Sequence, residues 1–106
     1  MSVIVVATFE ALPDHRDEVL DLVCRLAPKV HAEPGCQLYA PHTSGKDCVV
    51  LVERWADKAA LAAHAEGPQM TTFNADVSKL LTGPPRIQVL RPAPAGETEQ
   101  GALGQP

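Results

Sequence analysis

Residues 33–64 read EPGCQLYAPHTSGKDCVVLVERWADKAALAAH, from Glu33 to His64, and this stretch decides the fold. Pro34-Gly35 is a turn signal, and it leads into a short strand that carries Tyr39. Ser44-Gly45-Lys46-Asp47 reverses the chain. The apolar run Cys48–Val52 then ends in Glu53-Arg54-Trp55, the pattern of a second strand paired to the first as a hairpin. Asp57 is placed to cap a helix over 58–66, and that alanine-rich helix presents His64. The chain has only four aromatic residues, and its single Tyr and single Trp both fall in this segment.

Working outward, residues 3–10 (VIVVATFE) are rich in β-branched residues and predict a first strand. Pro13-Asp14 opens a helix with acidic residues (Asp14, Asp17, Glu18) at its positive end. Val19, Val23, Leu26, Ala27 and Val30 recur at helical spacing along it. Pro28 lies inside this helix and predicts a kink or an early end. The hairpin strands are predicted at residues 36–42 and 48–56. Gly67-Pro68 breaks the alanine-rich helix. A further helix carries Met70, Phe73, Val77, Leu80 and Leu81 on one stripe. Gly83-Pro84-Pro85 stops it, and Arg86–Arg91 (RIQVLR) is the last strand.

The order β-α-β-β-α-α-β is the ferredoxin-like α+β plan, an antiparallel sheet with helices on one face. Such a sheet alternates apolar and polar residues when its other face meets water. Residues Val3 to Ala7 and Cys48 to Val52 do not alternate. Both faces therefore want cover, and helices can supply only one. A second copy packed sheet to sheet satisfies the pattern, so a homodimer through the sheet face is expected. The folded domain is assigned to residues 1–91. Residues 92–106 (PAPAGETEQGALGQP) have little to bury and are expected to form a disordered tail.

The 106 residues carry a net charge of −4, with no Lys/Arg cluster to neutralise phosphates, which argues against nucleic acid. No apolar run reaches the roughly 18 residues of a membrane span. The opening MSVIVVATFEAL meets charge at Glu10 and reads as a strand, not a signal peptide. Cys24, Cys36 and Cys48 lack metal-type spacing and read as reduced, mostly buried thiols of a cytoplasmic protein. Nucleotide loops, metal clusters and Ser-His-acid elbows have no counterpart in the sequence.

Few residues remain to carry chemistry. Strand alternation puts Val49, Leu51, Glu53 and Trp55 on one side of the third strand. Trp55 offers an apolar plate and one N–H donor. Glu53, on a mostly apolar face, is expected to hold its proton above the usual carboxylate range. The plain packing reading makes Trp55 core and pairs Glu53 with an arginine. A neutral His64 can accept a substrate proton near pH 7, or simply sit at a helix rim. The Tyr39 phenol can bond a ligand oxygen or fill space. Thr8 and Phe9 face opposite sides of the first strand, and one of them must line any pocket under the helices. His42 is a further candidate, whereas His15 and His31 have ordinary helix-end explanations.

EPGC with Tyr39 three residues on, VERW, AALAAH, and PPRIQVL after a Met/Phe helix resemble the antibiotic biosynthesis monooxygenase superfamily over about Val3 to Arg91. LAPKVHAEPGCQLYAP and VLVERWADKAALAAH are most similar to its bacterial quinol monooxygenase branch. The resemblance implies a dimeric α+β barrel. It implies oxidation of a small quinol- or anthrone-type aromatic by O2 without flavin, haem or metal. It also implies Trp55 as stacking wall and donor, His64 as proton acceptor or orienter, Tyr39 as secondary donor, and Glu53 beside them. Gln69, Met70 and Phe73 of the following helix, with Thr8 and Phe9, complete the expected substrate site. Many members carry a Pro-His dipeptide where this chain has Pro68-Gln69, and glutamine cannot act as a base near neutral pH.

Other readings are an isomerase of a phosphorylated sugar, drawing on Arg54, Arg86 and Arg91, and a dimeric binding module without turnover. Haem-degrading members use a first-strand asparagine that VIVVATFE lacks.

Overall fold

A computed structural model describes residues 1–104. β1 (Val3–Glu10) leads to α1 (Arg16–His31), then β2 (Cys36–Ser44) and β3 (Cys48–Trp55). α2 (Lys58–Glu66), α3 (Pro68–Ser78) and β4 (Arg86–Leu90) complete the domain. All pairings are antiparallel, in the order β2-β3-β1-β4, which is the ferredoxin-like arrangement. Val3 stands opposite Trp55, and Phe9 opposite Val49. Trp55 and Phe9 therefore lie at opposite ends of the sheet.

The alternation read on β3 is realised residue by residue. Val49, Leu51, Glu53 and Trp55 are buried under the helices, while Val50, Val52 and Arg54 are half-buried on the outer face. Val5, Ala7 and Phe9 of β1 join them against Val19, Val23, Leu26 and Val30 of α1 and Phe73 and Val77 of α3. Asp57 caps α2 by accepting from the Ala60 N–H at 2.8 Å. Gly67 alone separates α2 from α3, whose first residue is Pro68, where a missing N–H costs nothing.

Several boundaries differ from the sequence reading. α1 begins at Arg16, because Asp14 adopts a left-handed φ of 68° in a turn closed by His15 N–H to Leu12 carbonyl at 3.0 Å. It also runs past Pro28 to His31. Pro28 lies on the exposed side, where the Cys24 carbonyl that loses its donor can meet water. β2 continues to Ser44, two residues beyond expectation. α3 ends at Ser78, so Leu80 and Leu81 reach the core from the following turn, with Leu81 bridging to Ala11. Cys24 is exposed and Cys36 and Cys48 are half-buried, so the thiols are less enclosed than expected.

The outer face of the sheet remains partly open. Ala40, Val6, Val50 and Val52 are half-buried there. At one end Gly104 packs against Ser2 and Arg54. Residues 92–104 contain no helix or strand. On the edge strand β4, Ile87 and Val89 are more than half exposed. Among the described residues, no helix is long and apolar enough to cross a membrane.

Candidate functional site

The site is assembled by three elements that converge on His64. Strand β3 delivers Glu53 and Trp55 to the helix-covered face, two residues apart. The neighbouring β2 register sets Tyr39 directly opposite Glu53. Helix α2 lowers His64 onto this pair. Its neighbours Ala60, Leu61 and Ala63 are small or flexible enough to let the helix approach. The turn before β2 then brings Glu33 to the other side of the imidazole. That turn can dock because Gly35 has no side chain. A Cβ there would stand 2.5 Å from the Ala60 Cβ, and the backbone φ of +83° also favours glycine.

His64 is 5% exposed. Its Nδ1 lies 3.0 Å from Glu33 Oε1. Its Nε2 lies 4.0 Å from Glu53 Oε1, too far for a hydrogen bond. The Trp55 ring packs on it at 4.5 Å between centroids and 31° between planes. The Tyr39 ring meets it edge-on at 5.5 Å. Glu53 accepts a hydrogen bond from the Trp55 indole N–H at 2.9 Å, and Glu33 Oε2 accepts from the Gln69 amide at 3.2 Å.

Burial pushes the Glu53 carboxyl up to about 7, with Glu33 adding to the rise and the Trp55 N–H opposing it. Burial also raises the Tyr39 phenol, helped by Glu53 and Glu33, so it stays protonated and can only donate or accept as a neutral group. Its hydroxyl is buried and makes no hydrogen bond among the described residues. Burial and Glu33 push the Cys36 thiol up, which leaves it a poor thiolate.

A cavity of about 620 Å³ opens beside Glu53 and His64, between the sheet and helices α2 and α3. Leu61, Met70, Val77 and Leu81 give it apolar walls, and Asn74 adds an amide. Its size lies within the range of small-molecule sites. A groove of about 510 Å³ runs outside α2, past Glu33 and Gln69, but neither Glu53 nor His64 reaches it. The cavity with both titratable groups is the candidate site.

The structure brings Tyr39, Glu53, Trp55, His64 and Gln69 together in one cluster, and it sets Met70 in the cavity wall. It separates the other expected residues. Phe9 packs edge-to-face on Phe73 at 6.0 Å in the core, and neither lines the cavity. Thr8 points to the outer face, because Phe9 takes the inner one. Trp55 has a different neighbour from that expected of a ligand wall. It is fully buried, its ring stacks on His64, and its N–H is engaged by Glu53. Glu53 is paired with this indole and not with an arginine. His42 is exposed, and its Nδ1 lies 3.3 Å from the Val50 carbonyl.

Two contributors were missed in the sequence. Glu33 sits 31 residues from His64, and its only local signal was its place before the Pro34-Gly35 turn. Asn74 lay one residue off the apolar stripe of α3. Among the described residues, no group of three His, Cys, Asp or Glu side chains is placed to hold a metal ion.

The family model described as "Antibiotic biosynthesis monooxygenase" matches residues 2–76. A Mycobacterium tuberculosis protein named "Putative monooxygenase Rv0793" is 34% identical over 91 residues, which span 85% of this chain and 90% of that protein. The solved structure of Rv0793 has a TM-score of 0.80 at 33% identity, covering 92% of this chain and 99% of that one. The Escherichia coli K12 protein named "Probable quinol monooxygenase YgiN" is 33% identical over 70 residues, 57% of this chain and 67% of that protein. A structure from Caulobacter crescentus CB15, titled as an antibiotic biosynthesis monooxygenase of putative assignment, has a TM-score of 0.78 at 28% identity, covering 84% and 87% of the two chains.

Proposed function

The chain belongs to the antibiotic biosynthesis monooxygenase family, and from that premise we propose that it oxidises a quinol- or anthrone-type aromatic with molecular oxygen, without flavin, haem or metal. The observation that carries this reading is the cavity itself. Its walls are largely apolar, and Glu53 and His64 are the titratable groups in them. A closed-shell phenol reacts slowly with triplet oxygen until it loses a proton. The resulting anion can pass one electron to O2, and the radical pair can then combine. For a hydroquinone, one oxygen atom ends in the product as a hydroxyl and the other leaves as water, while the ring supplies all four electrons.

In this reading His64 accepts the first proton through Nε2, and Glu53, held near neutrality, is the second station for it. Acid–base help of this kind is typically worth about 10²- to 10⁴-fold. Tyr39 packs edge-on against the imidazole and does not line the cavity, so it braces His64, and the ligand-donor role expected of its hydroxyl has no support in the cavity lining. Trp55 supports the imidazole and holds the Glu53 carboxylate in place.

The isomerase reading loses ground on the same observation. A phosphorylated substrate needs cations, and no Lys or Arg lines the cavity among the described residues. Arg54 lies on the outer face, where its Nε donates to Gln37. The proposal includes a homodimer through that face and so the dimeric α+β barrel. The half-buried Val6, Val50 and Val52, which the helices cannot cover, support it.

The test is oxygen uptake by metal-free, cofactor-free protein with reduced naphthoquinols and anthrones, corrected for autoxidation. Saturable uptake that falls in folded His64→Ala supports the reading. Binding of the same compounds with no uptake above background would replace it with that of a binding module.

A further inference from the structure

The geometry points to Glu33 as the residue that positions His64, by holding the imidazole proton on Nδ1 so that Nε2 faces Glu53 and the cavity as a bare lone pair. This rests on the proton-acceptor reading of His64 given above. An ionised carboxylate is an acceptor only, so the proton between Glu33 Oε1 and His64 Nδ1, 3.0 Å apart, belongs to the ring. A neutral imidazole has one N–H. Placing it on Nδ1 leaves Nε2 unprotonated, and which nitrogen carries the proton is set by the bond the other one makes.

Among the described residues, none hydrogen-bonds to Nε2. Glu53 Oε1 is 4.0 Å away and is occupied by the Trp55 indole. The ring cannot rotate to exchange its nitrogens without losing Glu33, because Trp55 and Tyr39 pack on it at 4.5 Å and 5.5 Å.

Glu33 is itself aimed by two features outside the cavity. The Gln69 amide donates to Oε2 at 3.2 Å, which turns Oε1 toward the imidazole. Gly35 lets the turn close onto α2, and the Ala56 N–H ties down the Gly35 carbonyl at 2.8 Å. Glutamine at position 69 thus has work to do without acting as a base. It is neutral, so the Glu33 charge faces a single imidazole.

The test reads the tautomer directly, apart from turnover. The ¹⁵N shifts of the His64 ring are recorded on the whole protein at about pH 8.5, two units above an ordinary imidazole. The wild type is expected to show a pyrrole-type Nδ1 and a pyridine-type Nε2. Glu33→Gln keeps an acceptor oxygen and is expected to keep that pattern. Glu33→Leu removes it, and the Nε2–H form is expected to appear, with turnover down about 10- to 100-fold, as for other supporting hydrogen bonds. Gln69→Leu leaves Glu33 in place and is expected to give a mixture of the two forms. A wild-type ring protonated mainly on Nε2 overturns the inference. So does a folded Glu33→Leu, or a folded Glu33→Ala should the leucine variant not fold, with the wild-type tautomer. The expected tautomers without any oxygen uptake would uphold Glu33 as the positioning residue and remove the oxygenase reading alone.

Discussion

The Trp55 indole nitrogen and the Glu53 carboxylate lie 2.9 Å apart on the same face of β3, both shut away from water. This pairing ties the sheet's largest side chain to the one acid in the cavity wall. It also has a consequence for stability. Burial raises Glu53 from 4.5 to about 7 in the folded protein. Between those values the folded chain holds a proton that the unfolded chain has released. Stability is therefore fully present below about pH 4.5 and is lost as pH rises toward 7, by on the order of 3 kcal/mol from this group. Glu53→Gln keeps an acceptor for the indole and removes the titration. It is expected to flatten that slope and to raise the denaturant midpoint at pH 8. Parallel pH profiles for the two proteins would sink the assignment.

Trp55→Phe takes away the one hydrogen bond that lowers the Glu53 pKa. The pH at which the acid titrates is expected to move up. If Glu53 takes part in proton transfer, the alkaline rise of kcat/KM moves with it. The smaller ring also leaves a void beside His64, at a cost of about 1–3 kcal/mol, the usual range for a core truncation. An unshifted profile in a folded variant would separate Trp55 from the titration of its neighbour.

Gly35 and Gly45 both hold positive φ, at +83° and +61°, but only Gly35 has a close neighbour. Gly45→Ala is expected to cost about 1 kcal/mol from the left-handed backbone alone and to leave turnover unchanged. Gly35→Ala adds a Cβ 2.5 Å from that of Ala60, so the turn must withdraw from α2. A larger loss, about 2–4 kcal/mol, is expected. The Glu33–His64 bond should open with it, and turnover should fall. Chemical denaturation and oxygen uptake on the two variants check this, and equal losses would contradict the docking role of the turn.

The legible and hidden parts of this molecule divide by sequence separation. The β3 alternation, the Asp57 cap and the Gly67-Pro68 break are local rules, and the structure realises each. Pro28 does not end its helix, because its cost falls on a carbonyl that faces water. The Thr8 and Phe9 pair was undecidable, since alternation states that they oppose one another but not which faces inward. It is the pairing with β3 that turns Phe9 to the core, where it meets Phe73 and not the cavity. Within the site, Trp55, the single tryptophan, and His64, one of four histidines, stood out on well-predicted elements. Glu33 did not, because its role depends on a turn closing onto a helix 31 residues away. Nor could the sequence state that the Trp55 N–H would be taken by Glu53, an interaction set by two rotamers on one strand.

The outer face gives the last prediction. Val6, Val50 and Val52 are apolar, only half-buried, and on the side that no helix covers. Packing against a second copy would bury all three in both chains. An aspartate at position 52 would then be carried into an apolar interface without a partner, which costs several kcal/mol per interface. Sedimentation equilibrium is expected to give twice the chain mass for the wild type and the chain mass for Val52→Asp. The substitution is mild in an isolated protomer, because position 52 can reach water there, so circular dichroism should show the variant folded. Gly104 meets this face at its Ser2 and Arg54 end. A wild type that sediments as a monomer at tens of micromolar, or a Val52→Asp variant that still dimerises, would mean that the open face is used otherwise.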